Sequence, residues 1–261
     1  MTRTRHPLAA LIPLLVFLAV FAVLVPLGAG TARAESNGGV KVMPLGDSIT
    51  DGFNVPGGYR VGLWQKFAAG RYKVDLVGSL FNGPAGLGDH DHEGHSGWTI
   101  QQIDDNVVNW LRAQNPHTIL LHIGTNDIYG SDPAGAPARL STLIDHVTAQ
   151  APKAELFVAT ITPLGSWDST VRAYNAAIPG IVQSKVNAGK RVHLVDMYRA
   201  LPADLADGVH PNAGGYDKMA DVWWRALLSV PGSIGTPSST TPSSTNAGST
   251  AYGNGSAARA A

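Results

Sequence analysis

Five short apolar segments, at 40–45, 74–77, 118–123, 156–160 and 192–195, are separated by stretches whose apolar residues recur at helical spacing. None of the five alternates cleanly between apolar and polar residues, so each reads as a strand buried on both faces. Between the second and third strands, Ile100, Ile103, Val107 and Leu111 repeat at helical spacing behind Thr99-x-x-Gln102, a capping-box pattern. Leu140, Ile144 and Val147 mark another helix, a further one lies around 171–188, and Tyr216, Met219, Trp223 and Leu227 mark the last. Strand followed by helix, five times over, predicts an α/β fold: a three-layer α/β/α sandwich around a five-stranded parallel sheet. The region must hold together by its core alone, because the chain has no Cys, and at this length it buries enough surface to do so. The same absence rules out a thiolate nucleophile, a Cys zinc site and an iron–sulfur cluster.

The two ends differ in composition from this domain. Arg3 and Arg5 precede an unbroken apolar run at 14–25, and Ala32-Arg33-Ala34 follows, so residues 1–34 read as a secretory signal peptide cleaved before Glu35. Residues 35–231 are then the single folded domain. Residues 232–261 hold 19 Gly, Ser, Thr or Pro and a single charge, Arg259, and read as a disordered tail that cannot bury a core. The whole chain balances 19 Lys+Arg against 19 Asp+Glu. Without a basic excess, nucleic acid is not an expected partner. The expected product is a secreted, extracellular monomer with no stable membrane association once the leader is removed.

Open parallel sheets bind ligands beyond the carboxyl ends of their strands, and polar residues gather at those ends here. The first strand leads into Gly46-Asp47-Ser48-Ile49, the second into a long loop ending His95-Ser96-Gly97, the third into Gly124-Thr125-Asn126-Asp127, and the fifth into Asp207-Gly208-Val209-His210-Pro211. These segments supply the parts for acyl transfer. Ser48 is the candidate nucleophile, with His210 as the base that takes its proton. Asp207 would hold the tautomer and stabilise the imidazolium, and Pro211 restricts His210 to extended backbone. The Ser48 N–H, the Gly97 N–H and the Asn126 amide are the candidate oxyanion donors. Each fragment alone has a plainer reading: Asp-Ser and Gly-Thr-Asn-Asp are ordinary turn chemistry, and the chain has 30 Gly. Their arrival in this order at four strand ends carries the functional reading.

At these residues the chain resembles the SGNH, or GDSL-type, hydrolase superfamily, named for a Ser, Gly, Asn and His set that falls here on Ser48, Gly97, Asn126 and His210. The resemblance covers the whole domain. It implies a flavodoxin-like topology with five central parallel strands and ester hydrolysis without a metal or other cofactor. Gly46-Asp47-Ser48-Ile49-Thr50 departs from the G-x-S-x-G nucleophile elbow of α/β-hydrolases. A narrower likeness, in Gly57-Gly58-Tyr59-Arg60, Val74-Asp75-Leu76-Val77-Gly78-Ser79, His92-Glu93-Gly94-His95-Ser96-Gly97-Trp98 and Leu121-His122-Ile123-Gly124-Thr125-Asn126-Asp127, is to carbohydrate esterase family three. That family is similar to acetylxylan esterases, which implies removal of acetate from O-acetylated xylan or a related polysaccharide as the partner substrate. Trp98, beside Gly97, is the candidate platform for a sugar ring.

Three other readings compete. His90-Asp91-His92-Glu93 with His95 is dense enough to suggest a zinc deacetylase using metal-bound hydroxide; the spacing specifies no coordination geometry, and no metal is expected. A lipase, phospholipase or thioesterase would use the same catalytic set on longer acyl chains. A non-catalytic carbohydrate-binding protein would have kept only the fold. Asp47 is read as a turn residue, Tyr59 and Arg60 as the start of a helix near the site, and His122 and Asp127 as supports of the oxyanion loop.

Overall fold

The computed structural model describes residues 37–201 and 203–239; the predicted leader and most of the predicted tail lie outside them. In chain order the elements are β1 (Val40–Gly46), α1 (Ser48–Asp51), α2 (Tyr59–Ala69), β2 (Val74–Leu76), β3 (Leu80–Phe81), β4 (Asp91–Gly94), α3 (Ile100–Gln114), β5 (Thr118–His122), α4 (Thr125–Ile128), α5 (Ala136–Gln150), β6 (Glu155–Ala159), α6 (Asp168–Asn187), β7 (Val192–Val195) and α7 (Ala213–Ser229).

The sheet has seven strands where five were expected. All five expected ones form, as β1, β2, β5, β6 and β7, and they pair in parallel. The two additions lie at one edge. Strand β1 pairs with β2 through Val40, Lys41 and Val42 and, further along, with β4 through Leu45 and Gly46. Two short strands thus share one side of β1, and β3 closes that edge antiparallel to β4. The sequence of β4, Asp91-His92-Glu93-Gly94, has no apolar residue, yet all four positions are buried. Side-chain hydrogen bonds offset the cost of that burial: Glu93 accepts from the Ser79 N–H at 2.9 Å and from the Ser79 hydroxyl, and His92 Nδ1 accepts from Gly94 N–H at 3.1 Å.

Successive residues of the central strands face opposite layers. Met43, Leu45, Ile119, Leu121, Leu156 and Val158 join one core, with α3, α5 and α6 residues such as Ile103, Ile144 and Ile178. Val42, Leu120 and Phe157 join the other, with Leu63 and Phe67 of α2 and Trp223 of α7. The predicted helical stripes are the buried ones: Ile100, Ile103, Val107 and Leu111 in α3, and Tyr216, Met219, Trp223 and Leu227 in α7. The capping box closes as expected, with Thr99 N–H donating to Gln102 Oε1 at 2.9 Å and the Thr99 side chain accepting from Gln102 N–H.

Composition put the domain's end at residue 231, but the packed chain runs further. Ser233 and Ile234 are buried, the Thr118 hydroxyl donates to the Ser233 carbonyl, and the Ser238 N–H donates to Arg71 O at 2.9 Å. A Gly/Ser-rich composition hid the one apolar residue, Ile234, that anchors this turn. Among the described residues no helix is long and apolar enough to cross a membrane.

Candidate active site

Strand β1 ends at Gly46, and Asp47 then caps α1, its carboxylate accepting from Ile49 N–H at 3.0 Å. This sharp strand-to-helix turn presents Ser48 at the carboxyl edge of the sheet. Gly46 is required there by crowding, since a Cβ would lie 2.2 Å from His122 O. On the far side, Asn212 caps α7 by accepting from Gly215 N–H at 2.9 Å, and the loop before it folds back on itself. Asp207 Oδ1 accepts from the N–H groups of Val209 and His210, at 3.0 and 2.8 Å.

The two loops meet in a relay. His210 Nδ1 lies 2.8 Å from Asp207 Oδ2, and His210 Nε2 lies 2.9 Å from Ser48 Oγ. With the Nδ1 proton donated to the carboxylate, Nε2 is left as the acceptor for the serine hydroxyl. The little burial Asp207 has pushes its carboxyl up, but the hydrogen bonds from His210 and Val209 outweigh it and hold the group well below the ordinary carboxylate range. It is therefore ionised at neutral pH. Phe53 packs against the imidazole, ring centroids 4.7 Å apart.

Ser48, Gly97, Asn126 and His210 line one open cavity of about 330 Å³. Gly97 has φ +82, and a Cβ on it would meet nothing of the protein within 4 Å. Glycine is needed here for its left-handed backbone, and the space beside it stays open toward the cavity. Asn126 Nδ2 donates to Trp98 O at 2.8 Å, which clamps the Gly97 loop with one amide proton and leaves the second for another acceptor. Asp127 ties the same loops together: its carboxylate accepts from Ile100 N–H at 2.9 Å and from Arg139 Nε at 3.0 Å.

The loop is braced from behind as well. Ser96 Oγ donates to Asp51 Oδ2 at 2.7 Å, Asp51 accepts from Asn82 Nδ2, and Arg60 donates to Asn82 O, His90 O and Asp51 O at 3.2, 3.0 and 3.2 Å. Arg60 is buried, which pushes its guanidinium down to about 10, still charged at neutral pH. His122 is buried at the end of β5, and burial pushes it down to about 4, so the ring is neutral.

Trp98 requires a correction. It does not line the cavity: its ring stacks on His95 at 4.2 Å, lies 6.0 Å from Trp110 and packs against the core. The cavity's aromatic walls are Phe53 and Tyr129, with Val209 beside them. Sequence reasoning also missed Asn54, whose Nδ2 donates to Asp207 Oδ2 at 3.0 Å from a backbone with φ +68. Nothing in the local sequence around Asn54 points to a partner 153 residues away. The His90–His95 cluster is dispersed: His90 stacks on Phe81 at 4.7 Å, His95 Nε2 donates to Glu93 Oε1 at 2.7 Å, and His92 turns to its own backbone neighbour. Among the described residues no three His, Asp or Glu side chains are gathered as metal ligands.

Asp47 gives a stability prediction. Complete burial is the largest influence and pushes its carboxyl up to about 6, against the lowering effects of the Ile49 N–H and the charge of His210. A raised carboxyl keeps its proton in the folded chain after the unfolded chain has lost it. Stability should therefore fall as pH rises from about 4 to about 6 and level off above, by up to about 3 kcal/mol. Asp47→Asn keeps the capping oxygen without the ionisation, so its melting temperature should gain on wild type across that window. Parallel melting curves from pH 4 to 7.5 would show Asp47 to be an ordinary ionised cap.

The sequence model of the GDSL-like Lipase/Acylhydrolase family matches residues 45–218. A multidomain esterase of Ruminococcus flavefaciens is 34% identical over 221 residues, covering 73% of this chain; the chain spans only 28% of that protein's length. Among solved structures, a Clostridium thermocellum family 3 carbohydrate esterase is 40% identical with a TM-score of 0.66, covering 73% of this chain and 96% of that one. A carbohydrate esterase family 3 protein from Talaromyces cellulolyticus is 32% identical with a TM-score of 0.65, covering 73% and 97%.

Proposed function

The chain belongs to the GDSL-like lipase/acylhydrolase family, and from that premise we propose that it is a secreted serine esterase that removes acetyl groups from xylan or a related polysaccharide. The observation that carries this is the Ser48–His210–Asp207 relay opening onto a cavity shared with Gly97 and Asn126. Ser48 Oγ attacks the acyl carbon while His210 takes its proton. Asp207 stabilises the imidazolium. The Ser48 N–H, the Gly97 N–H and the free Asn126 proton receive the oxyanion. His210 then protonates the departing sugar oxygen. Water, deprotonated by the same imidazole, releases acetate and restores Ser48. The family 3 carbohydrate esterases, at 40% and 32% identity, support the carbohydrate substrate. The leader read in residues 1–34 supports export.

Acetate release from acetylated xylan by the purified protein tests the reading, run beside Ser48→Ala and beside wild type dialysed against EDTA. Release should depend on Ser48 and survive the chelator. Loss on chelation with recovery on adding zinc would replace the serine mechanism by a metal one. Turnover confined to long-chain esters would keep the relay and discard the sugar.

A further inference from the structure

Trp167 stands apart from the other tryptophans. Trp223 is fully buried, and Trp64, Trp98, Trp110 and Trp224 all pack against one of the two cores. Trp167 belongs to neither and leaves 46% of its surface exposed. It ends a 3-10 turn, Gly165–Trp167, that leads into α6, where its side chain makes no capping bond. Nothing in the fold asks for an indole there.

Its ring contact is with Tyr129, edge to face, centroids 5.5 Å apart. Tyr129 is itself 41% exposed and is a wall of the cavity that holds Ser48 and His210. Tyr129 thus joins the cavity wall to Trp167, which lies just outside the cavity. The same turn borders a second groove of about 580 Å³, lined by Gly165, Asp168, Tyr198 and Arg199 among others. A Cβ on Gly165 would lie 3.6 Å from Gly208 O, on the loop that carries His210. The groove's charges are matched: Asp168 pairs with Arg172 and accepts from Tyr198 OH at 2.7 Å, and Arg199 pairs with Asp196 at 3.3 Å.

We propose that Trp167 and Tyr129 form a stacking platform for a pyranose ring of a neutral saccharide whose acyl group enters the Ser48 cavity. An aromatic face carries negative potential and attracts the slightly positive C–H face of a sugar ring. Asp168 and Arg199, each held by a partner of opposite charge, offer an acceptor and a donor to hydroxyl groups without a surplus of either sign, which favours a neutral chain over an acidic one. Two half-exposed rings in contact at the rim of a reactive cavity offer the apolar surface that a sugar's C–H face covers. The platform occupies the role that the sequence assigned to Trp98, and it rests on the reading of the chain as an esterase of acylated carbohydrate.

Two measurements test it. In the first, kcat/KM is taken on an acetylated xylo-oligosaccharide and on phenyl acetate, which has no sugar. Trp167→Ala should lower the oligosaccharide-to-phenyl acetate ratio about tenfold, chiefly through KM, and Trp167→Phe, which keeps a ring, should restore most of it. An unchanged ratio, including equal losses on both substrates, overturns the platform and leaves Trp167 a structural residue. In the second, Ser48→Ala protein is titrated with unacetylated xylohexaose in a calorimeter, so that the signal does not depend on the indole that is removed. A saturable signal that disappears in Ser48→Ala/Trp167→Ala supports the platform. Its persistence without Trp167, or no saturable signal at all, overturns it. If wild type releases no acetate from sugars while the Trp167-dependent titration persists, the deacetylase reading falls and the platform stands.

Discussion

Ser48→Ala should lower kcat on acetate esters by about three to six orders of magnitude while the protein stays folded. The hydroxyl is the attacking atom in the proposed reaction, and without it only water held near the oxyanion donors can react. Folding should survive because the side chain contributes a single hydrogen bond, 2.9 Å to His210 Nε2, while the turn is held by Asp47, Gly46 and the backbone bonds of α1. His210→Ala should cost about as much, and Ser48→Ala/His210→Ala scarcely more than either alone, because a base without its nucleophile has nothing to activate. The decisive readouts are kcat beside an unchanged melting temperature, and the mass of protein quenched during turnover. Wild type should carry an acetyl increment on Ser48 that Ser48→Ala lacks. Retention of more than about a tenth of the activity by Ser48→Ala would remove the acyl-enzyme from the mechanism.

Ser48 and Asn126 are legible in the sequence because they sit in short segments directly after strands. A buried parallel strand is a run of apolar residues, so its end is visible, and the residues just past that end must lie at the edge where ligands bind. Ser48 and Asn126 could be placed in this way, whereas His210 lies well beyond the end of β7 at Val195 and was legible from Asp207 three residues before it. Strand β4 could not, because its burial depends on Ser79 and His95 meeting Glu93 and not on apolar residues. The sheet therefore has two strands beyond those that periodicity showed.

The walls of the site were hidden for a related reason. Which way an aromatic side chain turns is decided by partners far along the chain. Trp98 turns inward to stack on His95, whose ring stacks in turn on Trp110. Phe53 faces the cavity because His210, distant in sequence, comes to its ring. Residue type and nearness to Gly97 pointed to Trp98; packing gave the exposed aromatic surface to Phe53, Tyr129 and Trp167. Asn54 follows the same logic, since nothing within its own loop announces Asp207 as its acceptor.

Asp207→Asn should lower kcat by about three to four orders of magnitude, more than the loss of one hydrogen bond would suggest. The carboxylate uses both oxygens: Oδ1 accepts from the N–H groups of Val209 and His210, and Oδ2 accepts from His210 Nδ1 and Asn54 Nδ2. An asparagine has one acceptor to divide between these two sides. If its oxygen stays with the backbone donors, its NH₂ faces His210 Nδ1. The ring then turns to the tautomer with the proton on Nε2, which cannot take a proton from Ser48. If the amide flips, two backbone N–H groups meet an NH₂, and the loop that positions His210 loosens. Either orientation disables the base. Asp207→Ala loses the orienting bond without imposing the wrong tautomer, so its kcat should fall between those of wild type and Asp207→Asn. That order, measured with KM and melting temperature little changed, is the signature of tautomer control. A loss below about tenfold in Asp207→Asn would leave Ser48 and His210 acting as a pair, with Asp207 holding only the loop.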